Sequence, residues 1–272
     1  MDAEDYSNDE ASEISRLRDQ IASLQRELQD TQKSTTQYLQ NVAHQLTAPL
    51  NAIKWNIEAI KDEKVPIYKK RGLLSSVYSQ GTILVHLIKN FSLMSNLEAD
   101  HELGQFRDQP ERVSPIRLAI NQTGDFEPQA EDGGKKLQVL LPTFDRVFGE
   151  SSLLIVKNLV AQALSNLLEN AIKYSSSGTT ITVSAISKDT EEGVWRGISV
   201  ASVGLPISPE EVQRLSDRGF RGSAAKQKIP AGTGIGLYLA NKVMRLHQGL
   251  VVPKVSGSET KMILLFPPSR IV

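Results

Sequence analysis

The segment NLLENAIKYS, residues 166–175, carries two side-chain amides that could hold a metal ion. Asn166 and Asn170 are four residues apart, so in a helix they share one face, and Lys173 and Tyr174 extend that stripe. Asparagine is a poor residue for a helix interior, so helix stability alone does not explain the pair. Amide oxygens suit a hard cation such as Mg²⁺ that is shared with phosphate oxygens. The alternative interpretation is an ordinary solvated helix face.

A second candidate is the glycine-rich stretch GTGIGL, which contains Gly232, Gly234 and Gly236. It leads into a helical pattern over 234–247, and a glycine-rich loop at a helix N-terminus presents backbone N–H groups that can bind phosphate. A dinucleotide-binding strand–turn–helix is not indicated, because no strand pattern precedes the glycines. The polar upstream segment, 217–231, is typical of a mobile lid.

The third candidate is His44, within VAHQLTAPLNAI. A lone histidine on a helix usually has no special role. Here Pro49 follows five residues later, and a proline inside a helix removes a hydrogen bond and produces a kink.

The elements that must position these residues begin with a long helix predicted over 12–62. Its apolar seam predicts a short coiled coil, most simply a parallel dimer, although a solitary amphipathic helix remains the alternative. The positions of the seam, continued through polar ones, are Ile14, Leu17, Ile21, Leu24, Leu28, Thr31, Thr35, Tyr38 and Val42. Lys64-Val65-Pro66 ends this helix, and a second helical pattern follows to Leu97. The two helices predict an antiparallel hairpin, and two hairpins would form a four-helix bundle by dimerisation.

The remaining residues mix strand and helix patterns. Strands are predicted at 137–141, 181–186, 198–200 and 262–266, and helices at 152–174, 208–216 and 234–247. This order predicts an α+β domain, an α/β sandwich with helices on one face of a mixed sheet. The fold class is therefore α plus α+β.

Composition excludes several classes of protein. Lys+Arg and Asp+Glu are 31 each, so the charge does not favour nucleic acid as a partner. The chain has no cysteine, which excludes disulfides, thiolate metal sites and cysteine nucleophiles. It contains neither a long apolar span nor a signal-peptide pattern, and this predicts a cytoplasmic location with no membrane segment in this chain.

Taken together, HQLTAPL, NLLENAIKYS, FRGS and GTGIGL resemble, in this order, the transmitter core of bacterial sensor histidine kinases. The resemblance covers roughly residues 35–266. It implies four parts: a tail and signalling coiled coil at 1–34, a dimerisation and histidine-phosphotransfer hairpin at 35–100, a linker at 101–112, and an ATP-binding domain of the GHKL type at 113–272.

The resemblance also implies roles for individual residues. His44 would be the phosphoacceptor and Gln45 its catalytic neighbour. Asn170, and Asn166 with it, would hold Mg²⁺ together with ATP. The residues implied to bind the nucleotide are Asn166, Asn170, Lys173, Tyr174, Ser202, Gly204, Gly232, Thr233, Gly234, Gly236 and Leu237.

Several positions depart from the family pattern. Gln45 stands where the family usually has an acidic residue that takes a proton from the histidine, and losing such a base typically costs about 10²–10⁴ in rate. Ala48 stands where Thr or Asn is common in the family. Ser202 replaces the aspartate that accepts from adenine, and Pro206 replaces a glycine of the same motif.

Two functions therefore stay open. The first is an ATP-dependent histidine kinase that works as a homodimer, phosphorylates His44 and passes the phosphoryl group to an aspartate of a response-regulator receiver domain. The second is a pseudokinase, a dimeric signalling scaffold with weak or no nucleotide binding. His44, the asparagines and the loop glycines favour the first; Gln45, Ser202 and Pro206 favour the second.

Overall fold

The computed structural model describes residues 3–98, 109–229 and 232–272. The chain divides into two compact units, residues 1–44 and 45–272. None of the helices in the described ranges is long and apolar enough to cross a membrane. Most of the predicted linker, residues 101–108, lies outside the described residues.

The first helix, α1, runs from Ala3 to Lys61 with Pro49 inside it. The sequence predicted this helix from about residue 12, so the helix begins further towards the N-terminus than expected. Pro49 is buried.

The predicted seam of the first unit is exposed. The exposed fractions of Leu17, Ile21, Leu24 and Leu28 are 50%, 54%, 58% and 59%. Large apolar side chains repeating by three and four on one helix face favour burial against another chain. The side chains of Ile14, Thr31, Thr35 and Tyr38 lie outside the described residues.

A second helix, α2, runs from Ile67 to Glu98. The side-chain amide of Asn56 on α1 donates to the hydroxyl of Ser76 on α2 at 2.9 Å. Asn56 and Ser76 are equally far from Pro66 in sequence, so this hydrogen bond joins two helices that run in opposite directions. The predicted hairpin is therefore present in the second unit.

A five-stranded mixed sheet follows, with the strand order β2-β4-β5-β7-β6. Its strands are β2 (Lys136–Val139), β4 (Thr180–Thr190), β5 (Gly193–Val203), β6 (Leu250–Ser256) and β7 (Glu259–Phe266). β2 pairs with β4 in parallel, and the other pairs are antiparallel. A separate antiparallel pair is formed by β1 (Glu111–Val113) and β3 (Leu153–Ile155).

The helices of this domain connect and cover the strands. They are α3 (Pro115–Asp132), α4 (Leu141–Phe148), α5 (Lys157–Tyr174), α6 (Pro209–Arg214), α7 (Ser223–Lys228) and α8 (Gly236–Leu246), with a 3₁₀ helix at Pro268–Arg270. The sequence predicted one helix over 152–174, but a short strand, Leu153–Ile155, precedes α5, and its first and last residues are fully buried. Likewise, the strand predicted to reach Leu141 ends at Val139, because α4 starts with a proline in its first turn.

The core lies between the sheet and the helices α5 and α8. Its fully buried side chains include Leu164, Leu167, Leu168, Ile181, Ile198, Leu239, Met244, Leu264 and Phe266. Burying such a side chain contributes roughly 1.5–3 kcal/mol. Helix α5 is buried on nearly all sides, which brings its polar residues Gln162, Asn166 and Glu169 into the interior. The fold class predicted from the sequence, α plus α+β, is confirmed.

Candidate functional site

A cavity of about 160 Å³ brings together α5, the end of β5 and the glycine segment before α8. The residues lining it that the sequence predicted to bind ATP are Asn170, Lys173, Tyr174, Ser202, Gly204, Gly232, Thr233, Gly234, Gly236 and Leu237. Asn166 is not among the lining residues. Binding sites for drug-sized ligands usually enclose about 300–1,000 Å³, so a nucleotide requires a wall of this cavity to move.

The floor of the cavity is apolar. Val200 of β5 and Met262 of β7 contribute to it and are 2% and 7% exposed. Leu167 and Ala171 of α5 complete this surface. A flat apolar surface of this kind suits the face of a purine ring.

The end of β5 is fastened to the end of α5 at Gly204. Gly204 forms a β-bridge with Ser175, and its N–H donates to the Ser258 carbonyl at 2.9 Å. A Cβ at Gly204 would lie 2.6 Å from the Cα of Ser175, closer than real contacts allow. Glycine is therefore required where the two elements approach each other, and this approach holds Ser202 and Tyr174 at the same cavity.

The glycine segment also depends on residues without a Cβ. Gly234 has φ +69°, and a Cβ there would lie 2.7 Å from the carbonyl oxygens of Gly219 and Phe220. At Gly236 a Cβ would lie 3.2 Å from Oδ1 of Asn166. The residue before α8, Ile235, provides no side-chain cap, so the first N–H groups of α8 are available to an anion.

Residues 217–229, the described part of the predicted lid, are joined to this region by hydrogen bonds. The guanidinium of Arg221 donates to the carbonyls of Gly232 at 3.1 Å and Ala225 at 2.9 Å, and to the carbonyl of Ile229. The Lys228 ammonium donates to the Ser175 carbonyl at 3.1 Å, where it also complements the C-terminal end of α5. These bonds tie the lid to the glycine segment and to α5.

The hairpin contributes to the same cavity. Gln45 of α1 and Leu87 and Asn90 of α2 line it. His44 is exposed and belongs to the first unit, residues 1–44.

Asn166 has different partners from those expected. Its Oδ1 lies 3.0 Å from Nε2 of His86 and accepts from the Asn90 amide at 2.8 Å. His86 is 4% exposed and also contacts Oε2 of Glu169 through Nε2 at 2.9 Å. Local spacing does not predict this cluster, because its members come from two helices some eighty residues apart in the chain.

Two further contacts complete the cluster. The Gln162 amide nitrogen lies 2.9 Å from Nδ1 of His86 and donates to Oδ1 of Asn90 at 2.8 Å. Glu169 also accepts from Lys173 at 2.5 Å. Burial by itself would raise the pKa of Glu169, but the Lys173 charge and the His86 hydrogen bond outweigh it and lower the pKa to about 2. Glu169 is thus ionised at neutral pH.

Comparison with known proteins identifies the class of this domain. Residues 155–270 match the family described as "Histidine kinase-, DNA gyrase B-, and HSP90-like ATPase". The Non-motile and phage-resistance protein of Caulobacter vibrioides is 28% identical over 270 residues, which cover 94% of this chain and 30% of that protein. The signal transduction histidine-protein kinase BaeS of Escherichia coli is 26% identical over 246 residues, which cover 90% of this chain and 49% of BaeS.

Solved structures show the same fold. Full-length ShkA, crystallised in complex with AMPPNP, gives a TM-score of 0.51 at 17% identity and covers 87% of this chain and 45% of that chain. The chain thus spans half or less of the length of each of these three proteins. Residues 155–270 thus match the ATPase domain family shared with DNA gyrase B and Hsp90, and most of the chain is similar in sequence to histidine kinases.

Proposed function

We propose that the chain binds Mg–ATP in the cavity, phosphorylates His44 and passes the phosphoryl group to an aspartate of a response-regulator receiver domain. The observation that carries this proposal is the convergence of the predicted ATP-binding residues. Ten of the eleven come from three separate stretches of sequence and line one cavity.

The residues present fit the ligand. The Asn170 amide would hold Mg²⁺, the first N–H groups of α8 would bind phosphate oxygens, and the floor formed by Val200 and Met262 would pack against the base. A nitrogen of the exposed His44 imidazole would then form a bond to the γ-phosphorus, and the bond from that phosphorus to the bridging oxygen would break, releasing ADP. Gln45 can accept a hydrogen bond but not the imidazole proton, so a slow reaction is expected.

The test is phosphorylation by γ-labelled ATP with Mg²⁺. The purified chain is expected to acquire label that is stable to base and labile to acid, as a phosphohistidine is. His44→Gln should abolish this label. The matched control is His101→Gln, a histidine of the predicted linker, which should keep the label. Label that survives His44→Gln would refute the assignment of the phosphoacceptor.

A second candidate function is a dimeric scaffold without catalysis. It is favoured by three residues that line the cavity and depart from the family pattern, namely Ser202, Pro206 and Gln45. Calorimetric titration with ATP and ADP separates the two functions. Binding that is lost in Asn170→Ala supports the kinase, and no binding at millimolar nucleotide supports the scaffold.

A further inference from the structure

The hairpin packs on the ATP-binding domain through α2, which contacts α3, α5 and α8, and its contact with α5 is polar. On one side of it lies a groove of about 1380 Å³, which His86 and Gln162 line. On the other side lies the nucleotide cavity, which Asn90 and Glu169 line. The hairpin and the ATP-binding domain are therefore joined at this point by a band of side chains between two open spaces.

The sequence spacing makes the band continuous along both helices. His86 and Asn90 are four residues apart and lie on one face of α2. Gln162, Asn166 and Glu169 are spaced by four and three and form one stripe on α5. Each of the two α2 side chains contacts more than one residue of the α5 stripe.

Both ring nitrogens of His86 lie within hydrogen-bond distance of polar side chains. Nδ1 lies 2.9 Å from the Gln162 amide nitrogen. Nε2 lies 2.9 Å from the Glu169 carboxylate, 3.0 Å from Oδ1 of Asn166 and 3.2 Å from the Asn90 amide nitrogen. The ring therefore contacts all three residues of the α5 stripe and its own neighbour on α2.

We propose that His86 and Asn90 form a latch that holds Asn166 and Glu169 and keeps the ATP-binding domain docked on the hairpin in competition with nucleotide. The proposal rests on the proposed function and on the expectation from the sequence that Asn166 helps Asn170 to hold Mg–ATP. With the latch closed, Oδ1 of Asn166 is bound by α2 and Asn166 is only 1% exposed. Gln45, Leu87 and Asn90 form a wall of the cavity, which is too small for a nucleotide.

The closed latch leaves one buried donor without a hydrogen bond, and this lowers the free-energy cost of opening. The donor is Nδ2 of Asn166, which has no hydrogen-bond partner among the described residues. A ligand that binds only the open state shifts the population towards it, and its apparent affinity falls by the fraction of molecules that are closed. Opening by mutation should therefore tighten nucleotide binding.

The experiment measures docking and affinity separately. The chain has no cysteine, so Ser75→Cys on α2 and Ser187→Cys on β4, both exposed, accept spin labels selectively. Distances between the labels are measured by double electron–electron resonance, with unlabelled chain in excess to suppress signals between protomers. Without nucleotide, Asn90→Ala should broaden the distance distribution relative to the wild type. The same substitution should lower the Kd for ATP by about 3- to 10-fold, equivalent to about 0.7–1.4 kcal/mol.

Asn96→Ala is the matched control, because Asn96 lies on the same helix and is exposed. It should leave both the distances and the Kd unchanged. His86→Leu, checked for folding by thermal unfolding, should act in the same direction as Asn90→Ala. An unchanged distance distribution in both latch variants would overturn the latch, and unchanged or weaker ATP binding with broadened distances would overturn the competition. If no variant binds ATP, the proposed function and the competition both fail, while broadened distances would still support the docking role of the latch.

Discussion

Ser202 sits at the end of β5, opposite Thr260 of β7, and lines the nucleotide cavity. The family pattern has a carboxylate at this position, which accepts a hydrogen bond from the amino group of adenine. A hydroxyl is a weaker acceptor because it carries no charge. At the residue scale, the affinity for ATP is therefore expected to depend on this one side chain.

Ser202→Asp should tighten ATP binding by about ten- to a hundredfold, since a hydrogen bond to a charged group contributes roughly 1.5–3 kcal/mol. Isothermal titration calorimetry with ATP and with GTP checks the change, and the gain should be larger for ATP. Ser176→Asp, at an exposed serine outside the cavity, is the control for added charge. Equal gains in the two variants would mean that position 202 does not recognise adenine.

At the scale of elements, His247 joins the end of α8 to the start of α5. Its Nε2 accepts from the Val156 N–H at 3.0 Å, and its Nδ1 donates to the Val243 carbonyl at 2.8 Å. The bond from Val156 requires a neutral ring, because a protonated Nε2 cannot accept a hydrogen bond. Burial lowers the pKa of His247 below its usual value of 6.5, and the nearby Arg270 charge acts in the same direction.

The free energy of unfolding is therefore expected to fall as the pH drops below about 6.5. In this range His247 binds a proton in the unfolded chain but stays neutral in the folded chain, so acid favours the unfolded state. One such group changes the free energy of unfolding by at most about 1.4 kcal/mol per pH unit. This slope is measured by urea unfolding between pH 5 and 7.5, followed by circular dichroism. His247→Gln should flatten the slope, whereas His44→Gln, at an exposed position, should preserve it. A slope that is the same in His247→Gln and the wild type would show that another group causes the dependence.

At the scale of the whole molecule, the first unit leaves an apolar seam exposed, and the length of that seam favours a partner chain. Leu17, Ile21, Leu24 and Leu28 repeat with the heptad spacing of a coiled coil and are each at least half exposed. A second copy of the chain, aligned in parallel, would bury all of them. We therefore propose that the chain forms a parallel homodimer through this seam.

Leu24→Glu should raise the dissociation constant of the dimer by at least tenfold, because two leucines leave the seam and two like charges meet in it. Sedimentation velocity over a dilution series measures this change. Gln25→Glu, which adds the same charge at the neighbouring exposed position outside the seam, should leave the dimer intact. If the two variants sediment alike, the seam is not the dimer contact.

Much of the fold was predictable where local spacing dominates. The long helices, the strands within 180–203 and the glycine-rich start of α8 follow from apolar periodicity and from glycine. The helix α3 was missed although Ser114 caps it and Pro115 occupies its first turn, signals that typically mark a helix start. Strand β3 was absorbed into α5 because a short apolar run fits either element, and only its antiparallel pairing with β1 distinguishes them.

Local patterns were sufficient to predict the chemistry of the site: two amides at helical spacing, a glycine bend before a helix, and a histidine ahead of a proline. Such patterns depend on residue type and spacing within one segment, so they can be recognised without knowledge of the fold. The fold was needed to show that Asn170 lines the cavity while Asn166 binds His86 and Asn90. That choice depends on α2, some eighty positions earlier in the chain, packing against α5. A buried polar group bonds to whichever group the fold places next to it. For Asn166 that group lies on another helix, so the spacing of residues within α5 cannot predict it.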